Sequence, residues 1–246
     1  MQITAQHVEI PVNGAAMGAH VAVPTEGGPH PAVIVFMEIF GVNSHIRDVT
    51  ERLAREGYVA VAPDFFHRTA PGIELSYTEE DMGKGFVPYG QLQADDMIVD
   101  ARAAIAWLRE RDDVRGERIG CMGFCVGGHM TYLTACETDV AAAASFYGGG
   151  IAGAEGFGGA DSTLGRTGKI RGRILCLFGD QDEYIPAAEV EQIKAELEKH
   201  EIRSECVLYP GVGHGFFCDQ RDSYSEEAAA DAWQKLVALF AEELKG

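Results

Sequence analysis

The chain is short of positive charge: its 20 Lys and Arg face 38 Asp and Glu, for a formal net charge of −18. Phosphate recognition needs clustered Lys and Arg, so nucleic acid is excluded as a partner, and an anionic membrane surface is disfavoured for the same reason. The acidic residues are scattered and read as solvated faces. Long apolar runs are missing as well. No stretch approaches the roughly 18 apolar residues of a membrane span. Met1–Ile10 carries Gln, His and Glu and lacks the basic-then-apolar order of a signal peptide, so a cytoplasmic location is expected. The sequence has six Cys but no C-x-x-C pair, and no His at helical ligand spacing beside them. Neither a disulfide scaffold nor a zinc site is therefore expected. Cys121, Cys176 and Cys206 lie in apolar runs and read as small core hydrophobes.

What is present is enough apolar residue for a full core: 46% of 246 residues are hydrophobic and 24% charged. That suits one globular domain spanning residues 1–246. Ile3–Val12 and Ala16–Val23 alternate around Asn13-Gly14 and predict an antiparallel hairpin. Pro31–Met37 is continuously apolar, as in a strand buried on both faces. Ser44–Glu56 has helical spacing, and Tyr58–Ala62 is a further strand. Residues His67–Gln91 show no periodicity and carry several Gly and Pro, so they read as a long functional loop. Gln93–Arg109 is an amphipathic helix. Val140–Tyr147, Arg173–Phe178 and Ser204–Tyr209 read as strands, Ala187–His200 and Tyr224–Leu244 as helices, and Ile151–Lys169 as a Gly-rich loop. Alternating apolar strands and helices predict an α/β fold with a mostly parallel central sheet, helices on both faces and the N-terminal hairpin. In such sheets ligands bind beyond the carboxyl ends of the strands.

One stretch stands at such an end. Ile119–Gly128 reads I-G-C-M-G-F-C-V-G-G, and the apolar segment Met130–Cys136 behind it can start a helix. This is the strand–turn–helix setting of a nucleophile elbow, with Cys125 where Ser is commoner; no G-x-S-x-G occurs. Glycines flanking a sharp turn let strand and helix approach. The turn aims the Val126 N–H and the helix N-terminus at one spot, which favours a thiolate and a developing oxyanion. Past the strand Arg173–Phe178 comes Gly179-Asp180-Gln181-Asp182, and past Ser204–Tyr209 comes Gly213-His214-Gly215-Phe216. Nucleophile, acid and His thus follow in the order of an α/β-hydrolase. Imidazole at His214 can take the thiol proton, and a carboxylate can fix its tautomer. Asp180 and Asp182 compete for the carboxylate role. Glu38 follows the apolar strand Pro31–Met37, and the Ile39 N–H is placed to be a second oxyanion donor.

These pieces resemble the dienelactone hydrolases, or carboxymethylenebutenolidases, of α/β-hydrolase fold. The matching segments are Glu38-Ile39-Phe40-Gly41-Val42-Asn43, Ala62-Pro63-Asp64, Ala70-Pro71-Gly72, Gly123-Phe124-Cys125-Val126-Gly127-Gly128, Tyr147-Gly148, Asp180-Gln181-Asp182 and Gly213-His214-Gly215-Phe216. They run in order over nearly the whole chain. The resemblance implies Cys125 as nucleophile, His214 as base and Asp182 as its orienter, leaving Asp180 to shape the turn. It implies an oxyanion hole from the Ile39 and Val126 amides and a Glu38 that interacts with the thiol, moving on substrate binding to help take its proton. The implied reaction is hydrolysis of an ester or enol-lactone through a thioester acyl-enzyme, with no cofactor and no metal. Family members hold a substrate carboxylate with Arg in the loop after the third strand and shortly after the catalytic His. Here the first loop offers Arg68 and Lys84, Cys218 falls at the second position, and Arg221 follows. Aromatic candidates to line the acyl pocket are Phe40, Tyr89, Tyr147 and Phe216, with Tyr184 and Phe217 nearby. A broader carboxylesterase or thioesterase on the same triad, or a non-catalytic ligand-binding or redox-sensing module at Cys125, are the alternatives. A small-molecule substrate and a monomer or small homo-oligomer are expected.

Overall fold

Asn13 and Gly14 both adopt positive φ, 48° and 84°, the backbone a two-residue hairpin turn requires. The turn aligns β1 (Ile3–Val12) antiparallel to β2 (Ala15–Pro24), with Val12 opposite Ala15. A computed structural model describes residues 1–246. The apolar run becomes β3 (His30–Phe36), in which Ala32–Phe36 are fully buried. α1 (Ser44–Arg55) starts where Asn43 accepts a hydrogen bond from the Ile46 amide, and it buries Ile46, Val49 and Leu53. β4 (Val59–Pro63) follows.

The segment after β4 departs from expectation. It contains a helix, α2 (Glu79–Tyr89). Gly83, Gly85 and Pro88 hide it in the sequence, yet each has a place. Thr78 caps the first turn by accepting from the Asp81 amide, and Glu79, Glu80 and Asp81 sit at the positive end of the helix. Gly85 packs against the Ile39 carbonyl, where a Cβ would collide. Pro88 falls in the last turn, so the helix it interrupts ends one residue later, at Tyr89.

α3 (Ala94–Arg109), β5 (Val114–Phe124), α4 (Val126–Glu137) and β6 (Ala142–Phe146) come next. α4 begins at Val126, directly after Cys125, rather than within the apolar segment from Met130. Two short 3-10 turns, Phe157–Gly159 and Leu164–Lys169, interrupt the expected loop. β7 (Arg173–Gly179), α5 (Ala187–Lys199), β8 (Ser204–Tyr209) and α6 (Glu226–Leu244) complete the chain.

The eight strands form one sheet in the order β1-β2-β4-β3-β5-β6-β7-β8. β2 pairs antiparallel with β4, and from β4 to β8 every pairing is parallel. The fold is α/β with helices on both faces of the sheet, as the alternation of elements predicts. No helix is long and apolar enough to cross a membrane. The parallel strands share one carboxyl edge. Glu38, Cys125, Tyr147, Asp182 and His214 all lie just past strand ends on that edge.

Candidate active site

The chain passes from β5 into α4 through Cys125, whose backbone sits at φ 56° and ψ −120°. An L residue rarely adopts this region, and holding one there costs about 1–3 kcal/mol. The cost is met by fixed neighbours. The Cys125 amide donates to the Phe146 carbonyl (3.1 Å), and the His129 amide donates to the Cys125 carbonyl (3.1 Å). A Cβ at Gly123 would run into the Gly127 carbonyl, and one at Gly127 into the Phe36 carbonyl. These two glycines are what let β5, β3 and α4 close around the thiol. Val126 is the first residue of α4, so its N–H has no carbonyl one turn back to serve.

His214 stands against this thiol. Its Nδ1 donates to Oδ2 of Asp182 at 2.8 Å, and its ring stands close enough to Cys125 for the sulfur charge to act on it. The carboxylate thereby selects the Nδ1–H tautomer and leaves Nε2 for the sulfur. Asp182 is itself fixed, its Oδ1 accepting from the amides of Tyr184 (2.9 Å) and Ile185 (3.2 Å). Tyr147 and Tyr184 meet the imidazole edge-on, with ring centroids 5.0 and 5.1 Å away. Burial works against a charged imidazole, but the negative charges at Cys125 and Asp182 outweigh it and push the His214 pKa up to about 10. Asp180 does not reach His214. Its Oδ1 accepts from the Gly211 amide at 2.7 Å and ties the two strand-end loops together.

Cys125 and His214 open into a cavity of about 310 Å³. Ile39, Phe40 and Val126 line the side of the strand ends, Met82, Phe86 and Tyr89 the side of α2, and Gly149, Gly150, Phe157, Tyr184 and Arg221 the remainder. Tyr89 stands near the thiol: burial and the Cys125 charge both raise its hydroxyl pKa. Phe157 is held by the buried His129, whose ring lies 4.3 Å away centroid to centroid and bonds Thr163 Oγ1 at 2.8 Å. Burial lowers His129 to about 4, so it is a neutral prop.

Glu38 is fully buried. Its Oε2 accepts from the Tyr77 hydroxyl at 2.8 Å and its Oε1 from the Arg221 guanidinium at 3.2 Å, so in this structure its bonds run to those two residues and not to the thiol. Burial opposes the Arg221 charge, but Glu38 keeps its pKa raised. Arg221 also packs over Phe40 and Tyr77, 5.9 and 5.5 Å from their ring centroids.

Of the other sequence candidates, Phe40, Tyr89 and Arg221 line the cavity. Arg68 does not: its guanidinium forks onto buried Asp100 at 2.6 and 2.8 Å. Lys84 points outward to Glu80 and Asp81 at 2.9 and 2.8 Å. Both satisfy nearby carboxylates instead of facing the thiol. Tyr147 and Phe216 are fully buried behind the site, where Tyr147 supports His214 and Phe216 packs against Tyr147 at 5.3 Å. Tyr77, Met82, Phe86 and Phe157 were not singled out from the sequence. Three of them belong to α2 and its approach, which no periodicity betrays.

The model of the "Dienelactone hydrolase family" matches residues 17–244. A protein of Synechocystis sp. (strain ATCC 27184 / PCC 6803 / Kazusa) named "Putative carboxymethylenebutenolidase" is 47% identical over 97% of this chain and 96% of its own. A "Probable 2-oxo-3-(5-oxofuran-2-ylidene)propanoate lactonase" of Bradyrhizobium sp. is 31% identical over 94% of this chain and 91% of its own. The crystal structure of a "Putative Dienelactone Hydrolase" from Klebsiella pneumoniae superposes with a TM-score of 0.90 at 32% identity, covering 98% of this chain and 100% of the other. With the family model matched over nearly its whole length, this chain belongs to the dienelactone hydrolase family and is a hydrolase of the ester or lactone type.

Proposed function

We propose that the protein opens an ester or enol-lactone by nucleophilic catalysis at Cys125, with His214 as base and Asp182 as its orienter. The observation that carries this reading is the connected chain from the Asp182 carboxylate through the His214 imidazole to a thiol on a strained elbow. The thiol proton passes to His214, and sulfur attacks the acyl carbon. The negative charge that develops on the carbonyl oxygen is met by the Val126 and Ile39 amides at the mouth of α4. His214 returns its proton to the departing alkoxide or enolate, leaving a thioester on Cys125. It then takes a proton from water, which attacks the thioester and frees the acid and the thiol. Glu38 enters only after leaving Arg221 or Tyr77, since both its oxygens are engaged.

The cavity suits a compact substrate with an apolar face against Met82, Phe86 and Phe157 and an anionic group against Arg221. A lactone bearing a carboxylate, as in the name of the Bradyrhizobium relative, has both features. A second reading, a carboxylesterase acting on neutral esters, is favoured by the largely apolar wall and by Arg221 already being paired with Glu38. Steady-state hydrolysis of cis- and trans-dienelactone and of p-nitrophenyl acetate separates the two. Dienelactone turnover that falls on Arg221→Ala, with aryl-ester turnover retained, supports the anionic lactone. Aryl-ester turnover alone supports the neutral ester, and full activity in Cys125→Ala would refute both.

A further inference from the structure

Beneath the cavity lies a group of side chains the reaction does not use in full. Glu38, His45 and Cys218 are each buried, and one ligand atom from each lies within 4.8 Å of the other two. They come from the end of β3, the first turn of α1 and the loop after His214, so no spacing motif announces them. Imidazole, thiolate and carboxylate together form a donor set that zinc takes. Tetrahedral bonds of about 2.0–2.3 Å place ligand atoms about 3.4 Å apart, a small contraction from what the fold presents. A second observation points the same way. His45 is 3% exposed, and its Nε2 is buried without a hydrogen-bond partner. A buried polar atom left unpaired costs about 1–3 kcal/mol, and a bound ion removes that cost by engaging the ring.

We propose that Glu38, His45 and Cys218 form a binding site for a zinc-like divalent cation, whose occupancy draws Glu38 away from Arg221. On binding, the Cys218 thiol gives its proton to solvent and a metal–thiolate bond forms, with no change in oxidation state. The ion keeps water or the Tyr77 hydroxyl in its fourth position. Tyr77 already bonds Glu38 at 2.8 Å and stands beside Cys218. Entry is by the polar cleft of about 420 Å³ that Tyr77, Gln220 and Arg221 line beside His214. Arg221, released from Glu38, can turn into that cleft. The site thus ties catalysis to metal occupancy, a consequence that rests on the function proposed above, whereas the binding itself does not.

The test uses Cd²⁺ as the probe and Cys125→Ser as the background, so that the active thiol does not contribute. One Cd²⁺ per chain with an ultraviolet thiolate-to-metal band is expected. The band should vanish in Cys125→Ser/Cys218→Ser, and the affinity should fall at least tenfold in Cys125→Ser/His45→Gln, with circular dichroism showing each variant folded. If one double variant fails to fold, the other decides. No band in the background variant, or a band that survives both second substitutions, overturns the proposal. With Zn²⁺ and the Cys125 chain, ester hydrolysis should change severalfold, and the change should be lost in Cys218→Ser. An equal response in the two chains would remove the tie to catalysis while leaving the Cd²⁺ result to judge the site.

Discussion

The pairing of His214 with the thiol fixes how Cys125 should react with an alkylating agent across pH. The negative charge at sulfur and the Asp182 carboxylate hold the imidazolium to about pH 10, against the cost of burial. Its support of a thiolate is therefore present through neutral pH and is lost only as pH rises through about 10. An ordinary thiol, with a pKa of about 8.5, is only about 3% ionised at pH 7 and gains about tenfold per pH unit below that pKa. Iodoacetamide modification of Cys125, followed by peptide mass, should therefore be faster at pH 7 in the native chain than in a chain that lacks the imidazole. His214→Gln removes the imidazolium, and its rate at pH 7 should be lower, by at most the roughly 30-fold deficit of an ordinary thiol at that pH. Asp182→Asn should fall between the two, because it takes away one of the two charges that hold the ring. A native rate at pH 7 no higher than that of His214→Gln would refute the ion pair.

Other consequences are equally direct. Tyr77→Phe deletes one donor to a buried carboxylate and should cost about 1.5–3 kcal/mol in urea unfolding, whereas Arg221→Ala breaks a buried pair and should cost about 3–5. Losses below about 0.5 kcal/mol in both would show that Glu38 is not tethered as described. Gly127→Ala drives a methyl into the Phe36 carbonyl and should destabilise by about 2 kcal/mol or more and abolish Cys125 reactivity; a folded, reactive variant would contradict the close approach. Asp182→Asn should lower kcat on an ester by about 10³–10⁴-fold through the wrong imidazole tautomer, while Asp180→Asn should not. Comparable losses in the two would dissolve the distinction between them.

The carboxyl edge of the sheet was readable because each of its residues ends an apolar run. Cys125, Asp182 and His214 need only chain order and strand ends to be brought together, and the fold brings them to one thiol–imidazole–carboxylate chain. The wall opposite was not readable. α2 is held by Thr78 at its cap and by Gly85 against Ile39, so its logic is tertiary and its Gly and Pro mimic a loop. Charge alone misplaced Arg68 and Lys84, since a sequence shows a cation but not the carboxylate that claims it. Arg221 reaches Glu38 although Cys218 stands where the resemblance puts the Arg. The loop after His214 turns back through Cys218 and Arg221, whose amides bond the Gly215 and Cys218 carbonyls. Gly215, at φ 81°, leaves the guanidinium the room it occupies.

The most direct test of the account is the mass of the intact protein, quenched in acid during turnover of p-nitrophenyl acetate and of cis- and trans-dienelactone. The account predicts an acyl adduct that maps to Cys125, forms and decays at rates consistent with turnover, and is absent from Cys125→Ala and His214→Ala. Turnover that proceeds in Cys125→Ala, or an on-pathway adduct that maps to another residue, would contradict it.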